Sequence, residues 1–99
     1  METPMGRKKE FNLEDFLLNL EDKGFKFRED AIAFIYFGKK STGCSDILAA
    51  VSIELTLKLQ KSFDGSFYLS LLETFMEKGI TTRKQALDLF ESLGKTYGT

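Results

Sequence analysis

The chain contains no histidine, and Cys44 is its only cysteine. Without an imidazole, neither a Ser-His-Asp nor a Cys-His catalytic arrangement can be assembled within the chain. A structural zinc site, which uses four Cys or His ligands, and an intrachain disulfide are excluded on the same grounds. We therefore expect a protein without catalytic residues, cofactor or metal, in a reducing compartment such as the cytoplasm.

The chain also has little net charge and no long apolar segment. Fourteen Lys and Arg residues oppose fifteen Asp and Glu residues, so the net charge is −1 and no overall charge attracts a polyanion. The longest uninterrupted apolar run covers residues 31–37, far fewer than the ~20 residues of a membrane span. Neither a membrane anchor nor a signal peptide is therefore expected.

The remaining composition is that of a folded domain. Apolar residues make up 42% and charged residues 29% of the 99 positions, as in ordinary globular proteins. Residues 1–10 lack periodicity and contain the basic run Arg7-Lys8-Lys9, so we expect a flexible arm there. Residues 11–99 are expected to form a single domain.

Apolar residues at helical spacing predict an N-terminal helix. Asn12 is a favourable N-cap, and Gly24 supplies the stop. The apolar face of this helix is formed by Leu13, Phe16, Leu17 and Leu20. This segment is interpreted as core.

Two more helices are predicted at the end of the chain, over about 66–78 and 83–93, with Ser66 as the cap of the first. Gly79 ends that helix, and Ile80 is expected to fold back on Phe75 in a Schellman cap. The last helix begins with a capping box formed by Thr82 and Gln85. Its apolar stripe consists of Ala86, Leu89, Phe90 and Leu93 before Gly94.

Two segments between these helices favour strands. Residues 51–60 alternate apolar and polar without exception, which is the two-residue period of a strand with one buried face. The run 31–37 is rich in aromatic and branched residues and ends at Gly38, which favours a buried strand, although a helix over 25–37 fits its continuous apolar character as well. Residues 38–46 are interpreted as a basic loop.

These elements predict an α+β domain with two antiparallel strands. A single strand cannot satisfy its own backbone, so 51–60 pairs either with 31–37 or with its copy in a second chain. The first pairing gives a hairpin in a monomer, and the second gives an obligate dimer. The sequence leaves both topologies open.

Residues 51–93 resemble the ribbon-helix-helix family of DNA-binding proteins, in which one strand precedes two helices joined by a glycine-containing turn. The local similarity lies in Lys78-Gly79-Ile80-Thr81-Thr82-Arg83-Lys84-Gln85-Ala86-Leu87. The resemblance implies a homodimer whose paired strands enter the major groove. It assigns base contacts to Ser52, Glu54, Thr56 and Lys58, and phosphate contacts to the helix start at Thr81, Thr82, Arg83 and Lys84.

The broader interpretation is a binding module that contacts another protein or a second copy of itself. Ten Phe and three Tyr residues are a heavy aromatic load, and aromatic residues are enriched in interface cores. Cys44 is interpreted as a small apolar residue and not as a reactive thiol, because no histidine is present to lower its pKa. We therefore predict a homodimer or a complex with another protein, with DNA binding as the alternative.

Overall fold

The computed structural model describes the backbone of residues 11–97 and the side chains of residues 11–92. Residues 11–97 contain five α-helices and no strand, so the expected α+β fold is wrong and the domain is all-helical. The helices are α1 (Leu13–Asp22), α2 (Glu29–Thr42), α3 (Asp46–Gln60), α4 (Gly65–Glu77) and α5 (Arg83–Tyr97). The arm expected over residues 1–10 lies outside the described residues.

Helix α3 lies at the centre of the domain. It packs against each of the other four helices, and α4 also packs against α2. Its buried residues are Leu48, Ala49, Ala50, Val51, Ser52, Ile53, Leu55 and Thr56. A helix surrounded in this way has no solvent face along most of its length, so apolar residues occur on all its sides.

This central position explains why the strand predicted over 51–60 is wrong. The alternating pattern assumes that every polar residue faces water, but Ser52 and Thr56 are fully buried. The Thr56 hydroxyl donates a hydrogen bond to the Ser52 carbonyl at 2.7 Å, which satisfies it within the helix. The start of the helix had its own signal, since the Ser45 hydroxyl accepts from the Leu48 amide at 3.2 Å.

The strand predicted over 31–37 is also wrong, and the helical alternative is correct for residues 29–37 but not for residues 25–28, which precede the helix. Helix α2 continues through Gly38 to Thr42, and it ends at Gly43, whose φ of 79° is left-handed. The predicted loop over 38–46 is therefore reduced to the few residues between α2 and α3. Gly38 is tolerated inside the helix because tertiary packing outweighs its low helix propensity.

Local capping rules hold where they were clear in the sequence. The Asn12 side chain accepts from the Asp15 amide at 2.8 Å, which confirms the cap of α1. The Ile80 amide donates to the Phe75 carbonyl at 2.9 Å, which confirms the Schellman turn at Gly79. In each case the interacting groups are close in sequence.

Two helix ends differ from the prediction. Helix α4 is capped by Asp64, which accepts from the Phe67 amide at 3.1 Å, and not by Ser66. Helix α5 starts at Arg83 as expected but continues past Gly94 to Tyr97. A glycine inside a helix costs only about 1 kcal/mol relative to alanine, so it does not end a helix by itself.

Asp46 connects three helices through one carboxylate. Its Oδ2 accepts a hydrogen bond from the Leu13 amide at the start of α1 at 3.0 Å. Its Oδ1 lies 3.1 Å from the Nζ of Lys39 in the last turns of α2. Because Asp46 is itself the first residue of α3, it lies at the positive end of two helix dipoles. This carboxylate therefore helps set how α1, α2 and α3 meet.

Helices α2 and α4 approach closely at Gly38. A Cβ atom added there would lie 3.0 Å from Cε2 of Tyr68 and 3.4 Å from Cδ1 of Leu72. The Tyr68 ring cannot move away freely, because it is fully buried and its hydroxyl donates to the Ile35 carbonyl at 2.7 Å. Burial also raises the pKa of this phenol well above its usual value, so the hydroxyl keeps its proton.

Gly38→Ala should therefore destabilise the domain. Overpacking against the Tyr68 ring costs about 1–3 kcal/mol, which exceeds the ~1 kcal/mol that alanine gains in helix propensity. We expect the free energy of unfolding to fall by about 1 kcal/mol in urea denaturation followed by circular dichroism. Ser41→Ala, on an exposed side of the same helix, is the control and should raise stability by a few tenths of a kcal/mol. A gain in stability for both variants would contradict the close packing at Gly38.

Candidate functional site

Helix α2 has one buried side and one exposed side. Ile35 and Gly38 are its only fully buried residues and face the rest of the domain. On the opposite side, Tyr36 is 40% exposed and Phe37 is 58% exposed. We define the outer face of α2 as the exposed residues Glu29, Ala33, Tyr36, Phe37 and Lys40.

The Phe37 side chain of this face is held by a neighbouring ring. The ring of Phe37 packs against Phe34 with a centroid distance of 5.9 Å. The Phe34 ring in turn lies edge-on to the buried ring of Tyr68 at 6.4 Å. Phe37 is therefore positioned by a chain of aromatic contacts that leads into the core, while most of its own surface remains in water.

A groove separates α1 from α2 next to this face. It has a volume of about 300 Å³ and is lined by Glu14, Leu17, Leu18, Glu21, Ile32 and Tyr36. Leu18 is 53% exposed, so the groove adds apolar surface to that of α2. Partial burial and the nearby carboxylates of Glu14 and Asp46 raise the pKa of the Tyr36 phenol. The phenol is thus protonated at neutral pH and can donate a hydrogen bond.

The residues assigned to base contacts do not form a common surface. Ser52 and Thr56 are buried in α3 and are inaccessible to a ligand. Lys58 is exposed near the end of the same helix. Glu54 points towards α5, where its Oε1 lies 2.5 Å from Nη1 of Arg83. The ribbon that would bring four such side chains to DNA requires a strand, and residues 51–60 form a helix.

The residues assigned to phosphate contacts interact with each other and with Glu54. The Gln85 side chain accepts from the amides of Thr81 at 2.8 Å and Thr82 at 3.2 Å, and the Thr82 hydroxyl accepts from the Gln85 amide at 3.1 Å, which confirms the capping box. Lys84 pairs with Asp88 one turn along the helix at 3.0 Å. The anion expected beside Arg83 is therefore a carboxylate of the same chain. DNA binding stays a prediction that this geometry does not support.

Cys44 is buried beneath α4. Its thiol is within hydrogen-bonding distance of the Leu72 carbonyl, with an Sγ to oxygen distance of 3.7 Å. Burial raises the pKa of this thiol, so the reactive thiolate is scarce at neutral pH. The structure therefore supports the interpretation of Cys44 as a small apolar residue of the core.

The described residues contain no other cluster with evident chemistry. Within residues 11–92 no group of three or more Asp, Glu or Cys side chains is arranged to hold a metal ion. None of the helices there has the length and apolar character needed to cross a bilayer. Among the exposed large apolar side chains of the described residues, Tyr36 and Phe37 are adjacent on one helix, and Phe37 has the largest exposed fraction. Sequence reasoning missed this pair because residues 31–37 were interpreted as a buried strand.

The fold and the site define a small five-helix domain with two exposed aromatic side chains next to each other on one helix. The chain belongs to a family of unknown function, DUF6123, whose model matches residues 8–95. No curated protein and no solved structure matches the chain. The family assignment thus supports one domain over most of the sequence and assigns no activity.

The buried hydroxyl of Ser52 provides a test of the central, buried position of α3. Within the described structure Ser52 Oγ is fully buried without a hydrogen-bond partner, which costs about 1–3 kcal/mol. Ser52→Ala should therefore raise the free energy of unfolding, by about 0.5–1 kcal/mol when helix propensity is included. Thermal denaturation would measure the change.

Thr56→Ala is the matched comparison on the same helix. Its hydroxyl is satisfied and its methyl group is packed, so this variant should lose about 1–2 kcal/mol. Equal destabilisation by both substitutions would mean that the Ser52 hydroxyl has a hydrogen-bond partner, which would contradict this prediction.

Proposed function

We propose that this chain is a non-enzymatic protein-interaction module and that the outer face of α2 is its contact surface. One observation carries the proposal: the middle of α2, from Ala31 to Phe37, is apolar on its outer side as well as on its inner side, and Phe37 is more than half exposed there. A stretch of helix that is apolar all round is normally covered on both sides. Aromatic side chains are also the ones that contribute most to protein interfaces.

The way α2 is held also favours binding. Its inner side is fixed to α4 by the hydrogen bond from Tyr68 to the Ile35 carbonyl, and its end is fixed to α3 by the ion pair of Lys39 with Asp46. A surface on a helix anchored at several points loses little conformational freedom when a partner binds. The proposed contact surface is therefore pre-organised. A cytoplasmic location stays a prediction.

Site-specific photocrosslinking tests the contact surface directly. The aromatic photocrosslinker p-benzoyl-phenylalanine would replace Phe37 in the full chain, expressed in cells of its source, and the adducts would be identified by mass spectrometry. We expect a discrete protein adduct from position 37, because a bound partner would cover this side chain. The same replacement at Leu59, which is 48% exposed on α3, is the matched control.

A second variant keeps the test independent of the photocrosslinker's own effects. With the crosslinker at Tyr36, adding Phe37→Ser should abolish the adduct. The substitution should change stability by less than about 1 kcal/mol, because the side chain is mostly in water. Equal adducts from positions 37 and 59, or no protein adduct from position 37, would overturn the proposal.

A further inference from the structure

The outer face of α2 has opposite charges at its two ends. Glu29 lies in the first turn and Lys40 in the last turns, while Ala33, Tyr36 and Phe37 lie between them. The spacings of three and four residues place all five on one side of the helix. The face is therefore acidic at its start, apolar in its middle and basic at its end.

The two charged residues at the ends of this face form no ion pair within the described part of the chain. Asp30 lies 3.7 Å from Arg28, and Lys39 pairs with Asp46. Neither Glu29 nor Lys40 has an ion-pair partner among residues 11–92. Both positions are exposed. These charges are thus available to a molecule that covers the apolar middle of the face.

A surface with this order of charges complements its own copy in an antiparallel orientation. When two such helices pair about a two-fold axis, the acidic end of each one faces the basic end of the other. A parallel pair would place like charges together, which is unfavourable. A partner that complements this face therefore needs the same order of acidic, apolar and basic residues, and a second copy of the chain has that order.

The side chains of the outer face also favour one alignment of the two antiparallel α2 helices. The two-fold axis can be placed at the level along α2 that is midway between positions 34 and 35. At this level it places Ala33 opposite the partner's Tyr36. The same axis places Glu29 opposite the partner's Lys40, because the two positions are equally far from it along the helix. A small residue opposite a large aromatic one allows two helices to approach to about 8–10 Å. Shape and charge thus select the same alignment.

We propose that the outer face of α2 binds a second copy of this chain, as an antiparallel α2 pair in which Glu29 of each protomer faces the partner's Lys40. This inference rests on the proposed function and names its partner. The fourteen residues of α2 extend about 21 Å, so the contact is at the small end of specific interfaces. We expect a reversible dimer with a dissociation constant on the order of micromolar.

Charge exchange tests the register. Lys40→Glu would place two pairs of like charges across the two-fold axis, and we expect the dissociation constant of the dimer to rise about tenfold or more in sedimentation equilibrium. Glu29→Lys should have a similar effect. The double variant Glu29→Lys with Lys40→Glu restores opposite charges and should return the dissociation constant to within about threefold of the original.

The double variant also separates this contact from the helix dipole. Glu29 and Lys40 each favour the dipole of their own helix, so the exchange should lower monomer stability further even as it restores the dimer. Lys58→Glu, an exposed charge reversal on α3, is the matched control and should leave the dissociation constant unchanged. Circular dichroism on each variant would verify that the helices are retained.

The outcomes separate this inference from the proposed function. A chain that remains monomeric throughout the micromolar range, or a dimer that the double variant fails to restore, would overturn the antiparallel α2 pair. If position 37 then crosslinks to a different protein, the interaction module stands with another partner. If position 37 crosslinks to no protein, both proposals are overturned.

Discussion

The burial of α3 on nearly all sides is the constraint on which the rest of this structure depends. Four helices are needed to cover it, and each of them has to direct apolar residues inward. Its small hydroxyl residues, Ser52 and Thr56, fit among closely packed neighbours because they need little space. The covering helices meet α3 from different directions, so each has an outer side that the domain itself does not cover. On α2 that outer side is aromatic.

The parts of the fold that could be predicted depend on groups close in sequence. The cap at Asn12, the Schellman turn at Gly79 and the capping box at Thr82 each use interactions within a few residues, so their signals are local. The fold class could not be predicted, because the alternation over 51–60 was interpreted as a strand with one solvent-exposed face and one buried face. In α3 the buried Thr56 satisfies its hydroxyl on the preceding turn, and Ser52 is buried although its hydroxyl has no partner within the described structure. The alternation of apolar and polar residues therefore does not report which residues are exposed.

The environment of Arg83 depends on a residue that is distant in sequence. The functional interpretation of Arg83 assumed that a cation at a helix start needs an external anion, whereas Glu54 supplies one from a position far away in sequence. Only the tertiary structure could reveal that pair.

The outer face of α2, by contrast, had a signal in the sequence. The helical spacing of Glu29, Ala33 and Lys40 was present there. It was not recognised because the run between them was interpreted as a strand.

The proposed self-association would follow from how α2 divides its two sides between folding and binding. The inner side of α2 is committed to the core through Ile35 and Gly38, so its outer side can carry aromatic residues without competing with packing. A two-fold contact needs only one surface, because the same residues supply both halves of it. In the proposed α2 pair, the small area of a single helix would limit the affinity, and the anchored position of α2 would limit the cost of ordering it. Such a contact responds to the concentration of the chain, as a permanent interface would not.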